Sequence, residues 1–409
     1  ISQNISSARN ILESEDVHSC ISCLTKLGVK ITKNKKFYRV YGNGLGSLYS
    51  KKNASLNFGN SGTLARLIIG ILATTPNIEL NVKGDHSLNK RSMKSLIKLM
   101  SNFGAFFYPK KKYFFPLKLI SSNFPVGFKY VAGTSAQLKS AVILAGLNSK
   151  GNTNIIEKSS SRDHTENMLL KNKNVIKIKK GSKKIITIYG KNHLDSLKLN
   201  VPGDPSSAAF FIALTLLRKD SKILIKDVGL NPTRIGFYNL LKKYGARIKF
   251  KNMKKENNEI KGDILAEYCK LKPIFASKDY YVNSTDEYPI LFVIAALTKG
   301  ISVFKGIKDL ANKESNRIKE MQKILSQVGV KSFATKDSVK IYGKGLFDAS
   351  NQNIFVPNLG DHRICMSSFV LSILVGAKTK IKNFNTVFTS SPSFLKTMKL
   401  LNAKYQIQK

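Results

Sequence analysis

The chain has 409 residues, 42% of them hydrophobic, and a formal net charge of +43. That apolar content supplies two or more cores of ordinary domain size and excludes a disordered chain. The lysines are spread along the whole sequence without the interleaved aromatics of a nucleic-acid module, so the charge reads as compositional drift. It suits small acidic substrates, whose approach a positive field accelerates.

The longest unbroken apolar run, 290–297, is far shorter than the roughly 18 to 20 residues of a membrane span, and no signal-peptide pattern opens the sequence. A cytoplasmic protein without membrane contact is therefore expected. Four cysteines, Cys20, Cys23, Cys269 and Cys365, are too few and scattered for a disulfide framework. The pair Cys20 and Cys23 lies on an apparent helix with no second pair to complete a zinc site. The five histidines show no ligand spacing, so no metal is implied.

One phrase recurs along the chain: an amphipathic helix, a Gly or Asn in the place of a left-handed C-cap, then a strand. The capping positions are Gly28, Gly104, Asn174, Gly245, Gly329 and Asn402, spaced by 70 to 84 residues. A second, almost wholly apolar helix is predicted over 62–73, 135–147, 206–217, 288–297 and 363–375, and helices of that kind are buried. With the short strands between them, such as 78–82, 153–156, 223–225 and 301–304, the unit reads as β-α-β-α-β-β. Six units suit an α/β (α+β) protein of two domains, 1–195 and 196–409, with three units each and the first one incomplete.

The amphipathic helices share a further feature. Arg91, Arg162, Arg234 and Arg317 each fall 11 to 13 residues before the capping residue of their module, after Asn89, Ser161, Asn231 and Asn312 as expected N-caps. Pro232 fits a first-turn position. In the last of these, Lys313 and Arg317 are expected one turn apart on one helix face, a like-charge pair at the end where the macrodipole disfavours cations. A bound phosphate or carboxylate would turn both penalties into gains. Glu314 between them is a candidate proton carrier. One such helix start is ordinarily a solvated end, but four in equivalent modules point to N-termini gathered on a strongly anionic site, placed most naturally between the domains.

Taken in order, Gly59-Asn60-Ser61-Gly62-Thr63 with Arg66, Gly84-Asp85 through Lys90-Arg91, Ser135-Ala136-Gln137-Leu138-Lys139 and Arg162-Asp163-His164-Thr165-Glu166 form one half of a specific pattern. Pro202-Gly203-Asp204, Asp286-Glu287, Lys313-Glu314 to Arg317 and Gly360-Asp361-His362-Arg363 form the other. Together they resemble the 5-enolpyruvylshikimate-3-phosphate synthase family, in its class II branch. The resemblance implies a two-domain fold of three β-α-β-α-β-β units each, with the active site in the cleft. It implies a reaction joining phosphoenolpyruvate to the 5-hydroxyl of shikimate 3-phosphate through a tetrahedral adduct that then eliminates phosphate. No metal or organic cofactor is needed, the partners are the two small substrates, and a monomer is expected.

By the same resemblance, Ser135, Ala136, Gln137, Arg162, Asp286 and Lys313 hold shikimate 3-phosphate. Gly62, Arg91, Gln137, Arg317 and Arg363 hold phosphoenolpyruvate. Asp286 and Glu314 carry protons. The residue types fit, since carboxylate and phosphate want guanidinium forks and an addition-elimination wants a base for the hydroxyl and an acid for the methylene carbon. Partial tolerance to glyphosate is expected, with Gly62 leaving room in the inhibitor's pocket. Asp309 stands where many relatives have Asn or Glu, Thr389 where some have Lys, and Ser92 where Pro is usual. The family's first strand and its Lys-Ser-x-x-x-Arg helix have no counterpart in the sequence. A fragment lacking about 30 to 35 residues is therefore expected, and with it poor stability and little activity, since an empty helix slot forgoes apolar burial worth about 25 cal/mol per Å². The sister transferase acting on UDP-N-acetylglucosamine uses a loop cysteine, and none lies near Arg91. A basic nucleic-acid-binding protein is supported by charge alone, and the intact acidic and basic motifs argue against a decayed relative.

Overall fold

Short apolar strands alternating with helices build six small sheets in the computed structural model, among the described residues 1–35 and 37–407. The chain divides into two units, Ile1–Val201 and Pro202–Lys409, each with its own apolar core. No helix among the described residues is long and apolar enough to cross a membrane.

The first unit shows the module strand by strand. Ala54–Asn57 runs parallel to Glu79–Lys83 because the helix Gly62–Leu72 returns the chain to the starting edge, and Leu117–Ile120 and Phe106–Tyr108 extend the sheet antiparallel. Lys129–Ala132, Asn152–Glu157, Lys184–Tyr189 and Ile176–Lys179 repeat this arrangement, with the helix Ala136–Asn148 as crossover. In the remaining sheet, Gln3–Arg9, Phe37–Asn43 and Lys30–Asn34 take the second, fourth and third places of the module. The first place, parallel to Gln3–Arg9, is taken by Lys198–Asn200 from the end of the unit.

In the second unit Phe275–Ala276, Gly300–Lys305, Ser338–Gly343 and Ser332–Ala334 follow the same order. Lys222–Gly229, Glu259–Glu267 and Arg247–Glu256 make a three-stranded antiparallel sheet, and Asn353–Val356 pairs in parallel with Lys378–Ile381.

The apolar helices are Gly62–Leu72, Ala136–Asn148, Pro205–Leu217, Tyr288–Ala296 and His362–Val375, each within one residue of its expected span. Having no polar face, they pack on one another inside the units: the first two together, and the last three together. Gly70 permits the first pairing, because a Cβ there would lie 2.6 Å from the carbonyl oxygen of Ala141. Five of the six expected caps, Gly28, Gly104, Gly245, Gly329 and Asn402, are left-handed, with φ between 62° and 96°. Asn174 is not. Its helix ends early, at Leu169, and a turn closed by Val175 N–H on the Asn172 carbonyl replaces the cap. All four cysteines are free thiols, three of them buried in the packing.

Candidate active site

Four of the apolar helices open on a side-chain cap. Ser61 accepts from Leu64 N–H at 3.2 Å, Ser135 from Leu138 at 3.4 Å, Asp204 from Ser207 at 2.9 Å, and Asp361 from Arg363 at 3.0 Å. The expected site residues Gly62, Ala136, Gln137 and Arg363 thus sit in first turns, where backbone N–H groups have no partner within the helix.

In the first unit these starts are joined. Gln137 Nε2 donates to Thr63 Oγ1 at 2.8 Å, tying the turn after Ser135 to the turn after Ser61. Gly62 lies against two guanidinium groups: a Cβ at this position would stand 2.7 Å from Arg66 Nη1 and 3.0 Å from Arg91 Nη1. Arg66 Nη1 donates to the Gly62 carbonyl at 2.8 Å. Gly62, Arg91 and Gln137 therefore lie together. Arg162 follows Ser161, whose N–H and hydroxyl both donate to Glu157 Oε1, at 2.8 and 2.7 Å.

In the second unit the organising side chain is Arg317, only 2% exposed. Its Nε donates to Asp361 Oδ2 at 2.9 Å and its Nη2 to Glu314 Oε2 at 2.7 Å, while Nη1 stands 3.8 Å from Asp286 Oδ1. Burial alone would lower its proton affinity, but the attraction of Asp361 and Glu314 outweighs it and the guanidinium is held charged. Arg363 places its guanidinium 5.9 Å from the Phe210 ring centroid. Three buried nitrogens, Nη1 of Arg317 and Nε and Nη1 of Arg363, have no hydrogen-bond partner among the described residues. His362 is pushed down to about 4 by burial and by the neighbouring Arg363, so its ring is neutral at pH 7.

A second polar group adjoins these residues. Asp204 pairs with Arg234, whose Nη2 also donates to Ser206 Oγ at 2.9 Å. Burial pushes the Asp204 carboxyl up, but Arg234 and Arg363 prevail and hold it at about 2. Glu287 goes the other way: burial, then the charge of Asp286, raises its carboxyl.

Three local expectations are corrected. The helix expected to open at Asn312 opens at Arg317, with Asn316 as N-cap accepting from Lys319 N–H at 3.1 Å. Residues Lys308–Asn312 form a 3-10 turn and Lys313 is extended, so Lys313 and Arg317 do not share a helix face. The other three arginines precede their helices, Lys94–Asn102, His164–Leu169 and Gly236–Lys243, instead of standing in their first turns. Their expected caps are used by tighter local turns: Asn89 accepts from Gly84 N–H, Ser161 serves Glu157, and Asn231 accepts from Thr233 N–H in the turn that holds Pro232. Lastly, the Arg317 fork is not open, since protein carboxylates already face its Nε and Nη2. The partner missed was Asp361, and an Asp directly before an apolar helix, as in Gly360 to Arg363, is the N-cap signal that marks it.

The fold of repeated β-α-β-α-β-β modules agrees with that of the enolpyruvyl transferase NikO of Streptomyces tendae, at a TM-score of 0.72 and 12% identity over 98% of this chain and 90% of that one. The EPSP synthase (3-phosphoshikimate 1-carboxyvinyltransferase) family model matches residues 1–398. The 3-phosphoshikimate 1-carboxyvinyltransferase of Thermodesulfovibrio yellowstonii is 39% identical over 397 residues, 96% of this chain and 90% of that relative. Its counterpart in Zymomonas mobilis is 35% identical over 403 residues, 97% of this chain and 88% of the relative. The solved EPSP synthase of Acinetobacter baumannii superimposes with a TM-score of 0.84 at 31% identity, over 98% of this chain and 90% of that one. The chain belongs to the EPSP synthase family and is a transferase of an enolpyruvyl group.

Proposed function

We propose that this chain transfers the enolpyruvyl group of phosphoenolpyruvate to the 5-hydroxyl of shikimate 3-phosphate and releases phosphate, with Asp286 and Glu314 as the proton carriers. Asp286 takes the hydroxyl proton as that oxygen bonds to the central carbon of phosphoenolpyruvate, and Glu314 delivers a proton to the methylene carbon. Collapse of the tetrahedral adduct returns a methyl proton to Glu314, and phosphate leaves with the proton that Asp286 had taken, restoring the double bond and both carboxyl groups to their starting states.

The observation that carries this reading is the sharing of Arg317. Asp286 and Glu314 face the two terminal nitrogens of one buried guanidinium, at 3.8 Å from Nη1 and 2.7 Å from Nη2. A common cation holds the two carboxylates beside one reacting centre. The unpartnered nitrogens of Arg317 and Arg363 supply donors for the phosphoenolpyruvate anion. Gly62, Arg91 and Gln137 serve the same substrate, while Ser135, Ala136, Gln137, Arg162, Asp286 and Lys313 serve the phosphorylated ring. The same reading takes the enzyme as a monomer in the cytoplasm.

Glu314→Gln and Asp286→Asn test the roles. Each should fold normally and lose roughly 100- to 10,000-fold in turnover, the range for removing a general acid or base. Wild-type turnover in both removes them from the mechanism.

A further inference from the structure

The first unit buries a four-membered charge network. Lys139 is the one charged residue of the helix Ala136–Asn148, and its side chain is fully buried. Its Nζ donates to Glu157 Oε1 at 2.8 Å and pairs with Glu166 Oε1 at 2.7 Å, both carboxylates also fully buried. Lys184 closes the square at 3.2 Å from Glu157 and 3.4 Å from Glu166. Burial opposes ionisation of Glu157, but Lys139 and Ser161 hold its carboxyl below the ordinary range.

A balanced buried quartet is weak as a source of stability, because well-packed apolar side chains usually do as well. Its strength is in fixing one geometry. Here the geometry has a definite object. Glu157 ends a strand and Glu166 lies in the next helix, and the segment between them carries Arg162. Glu157 grips that segment at Ser161 through two hydrogen bonds, one residue before Arg162. Lys139 lies one turn below Ser135, with its N–H on the Ser135 carbonyl at 3.2 Å. Ser140 Oγ and Thr165 Oγ1, 2.8 Å apart, add a second tie between the same helix and segment.

We infer that Lys139, Glu157 and Ser161 are positioning residues for shikimate 3-phosphate: they fix Arg162 relative to Ser135, Ala136 and Gln137, and so set the affinity for the phosphorylated ring without touching it. This rests on the assignment of Arg162 and the 135–137 turn to that substrate. No residue of the network serves phosphoenolpyruvate, and of the residues it positions only Gln137 is shared with that substrate, so the effect falls chiefly on shikimate 3-phosphate.

Steady-state kinetics of Lys139→Met, Ser161→Ala and Arg162→Ala, run below their melting temperatures, test it. Lys139→Met and Ser161→Ala should raise KM for shikimate 3-phosphate roughly 10- to 100-fold, the scale of an approximately 1 Å misplacement, with KM for phosphoenolpyruvate and kcat within about twofold. Ser161→Ala removes one hydrogen bond and no charge, so it decides the matter if Lys139→Met does not fold. An unchanged KM for shikimate 3-phosphate in Ser161→Ala overturns the inference, and so does a parallel loss in all three constants, the mark of a merely structural role. Arg162→Ala separates the two readings. An unchanged KM there overturns the assignment of Arg162 itself, and the inference with it. A raised KM there beside an unchanged one in Ser161→Ala overturns the positioning alone.

Discussion

Arg317 and Asp361 meet in a buried two-point contact, Nε to Oδ2 at 2.9 Å and Nη2 to Oδ1 at 3.3 Å, and the same aspartate caps the helix that begins with His362. One side chain thus anchors a charged residue of the site and starts a core helix. The two functions separate by substitution. Asp361→Asn keeps a capping oxygen but removes the counter-charge, and should cost about 3 to 5 kcal/mol, the range for breaking a buried pair. Asp361→Ala should lose about 1 kcal/mol more, the worth of the cap. Urea unfolding measures both, and equal losses would show that Asp361 contributes nothing as a cap.

Gly62 is the position where a single carbon meets two cations. A Cβ would stand 2.7 Å from Arg66 Nη1 and 3.0 Å from Arg91 Nη1, and because both are ends of flexible side chains they can move aside. Gly62→Ala should therefore fold, raise KM for phosphoenolpyruvate several-fold, and raise the glyphosate concentration needed for half inhibition. The ceiling is the complete loss of one charge-assisted hydrogen bond, about 1.5 to 3 kcal/mol or roughly 10- to 150-fold, and the flexible arginines keep the effect below it. An inhibition curve identical to that of the parent chain would show that this position does not border the inhibitor.

His362 gives the folded state an acid-side slope. Unfolded, the ring takes a proton near 6.5; folded, it does so at about 4, because burial and Arg363 disfavour the cation. The native state therefore loses stability as pH falls from 6.5 to 4, by on the order of 3 kcal/mol at most. Glu287 opposes this, since its raised carboxyl contributes most in acid and its contribution fades as pH rises. Comparing parent and His362→Gln isolates the histidine: the variant should lose less stability between pH 6.5 and 4 in denaturant titrations. Equal slopes would mean that His362 protonates freely when folded.

The fold was largely legible because its signals are redundant. An all-apolar helix such as 288–296, with Ile290 to Ile294 at most 1% exposed, can be read from composition alone, and a left-handed Gly such as Gly245 ends a helix whatever surrounds it. Helix starts were less legible. Asn312 has the right chemistry for a cap, but the chain there tightens into a 3-10 turn and Asn316 takes the role. Asn174 failed for the same reason, as its neighbour Asn172 had already closed a turn and accepted a hydrogen bond from Asp195 N–H. The site residues could be named from motif order, but not their pairing. That Arg317 would spend its fork on Asp361 and Glu314, or that Lys139 would meet Glu157 and Glu166, depends on which sheets and helices pack together.

The central claim, that this chain forms an enolpyruvyl ether between two phosphorylated substrates, is tested most directly by phosphate release on mixing it with shikimate 3-phosphate and phosphoenolpyruvate. The account predicts phosphate in amounts equal to the ether formed, dependent on both substrates and reduced roughly 100- to 10,000-fold in Glu314→Gln. Phosphate released from phosphoenolpyruvate without shikimate 3-phosphate, or at the parent rate in Glu314→Gln, would contradict it.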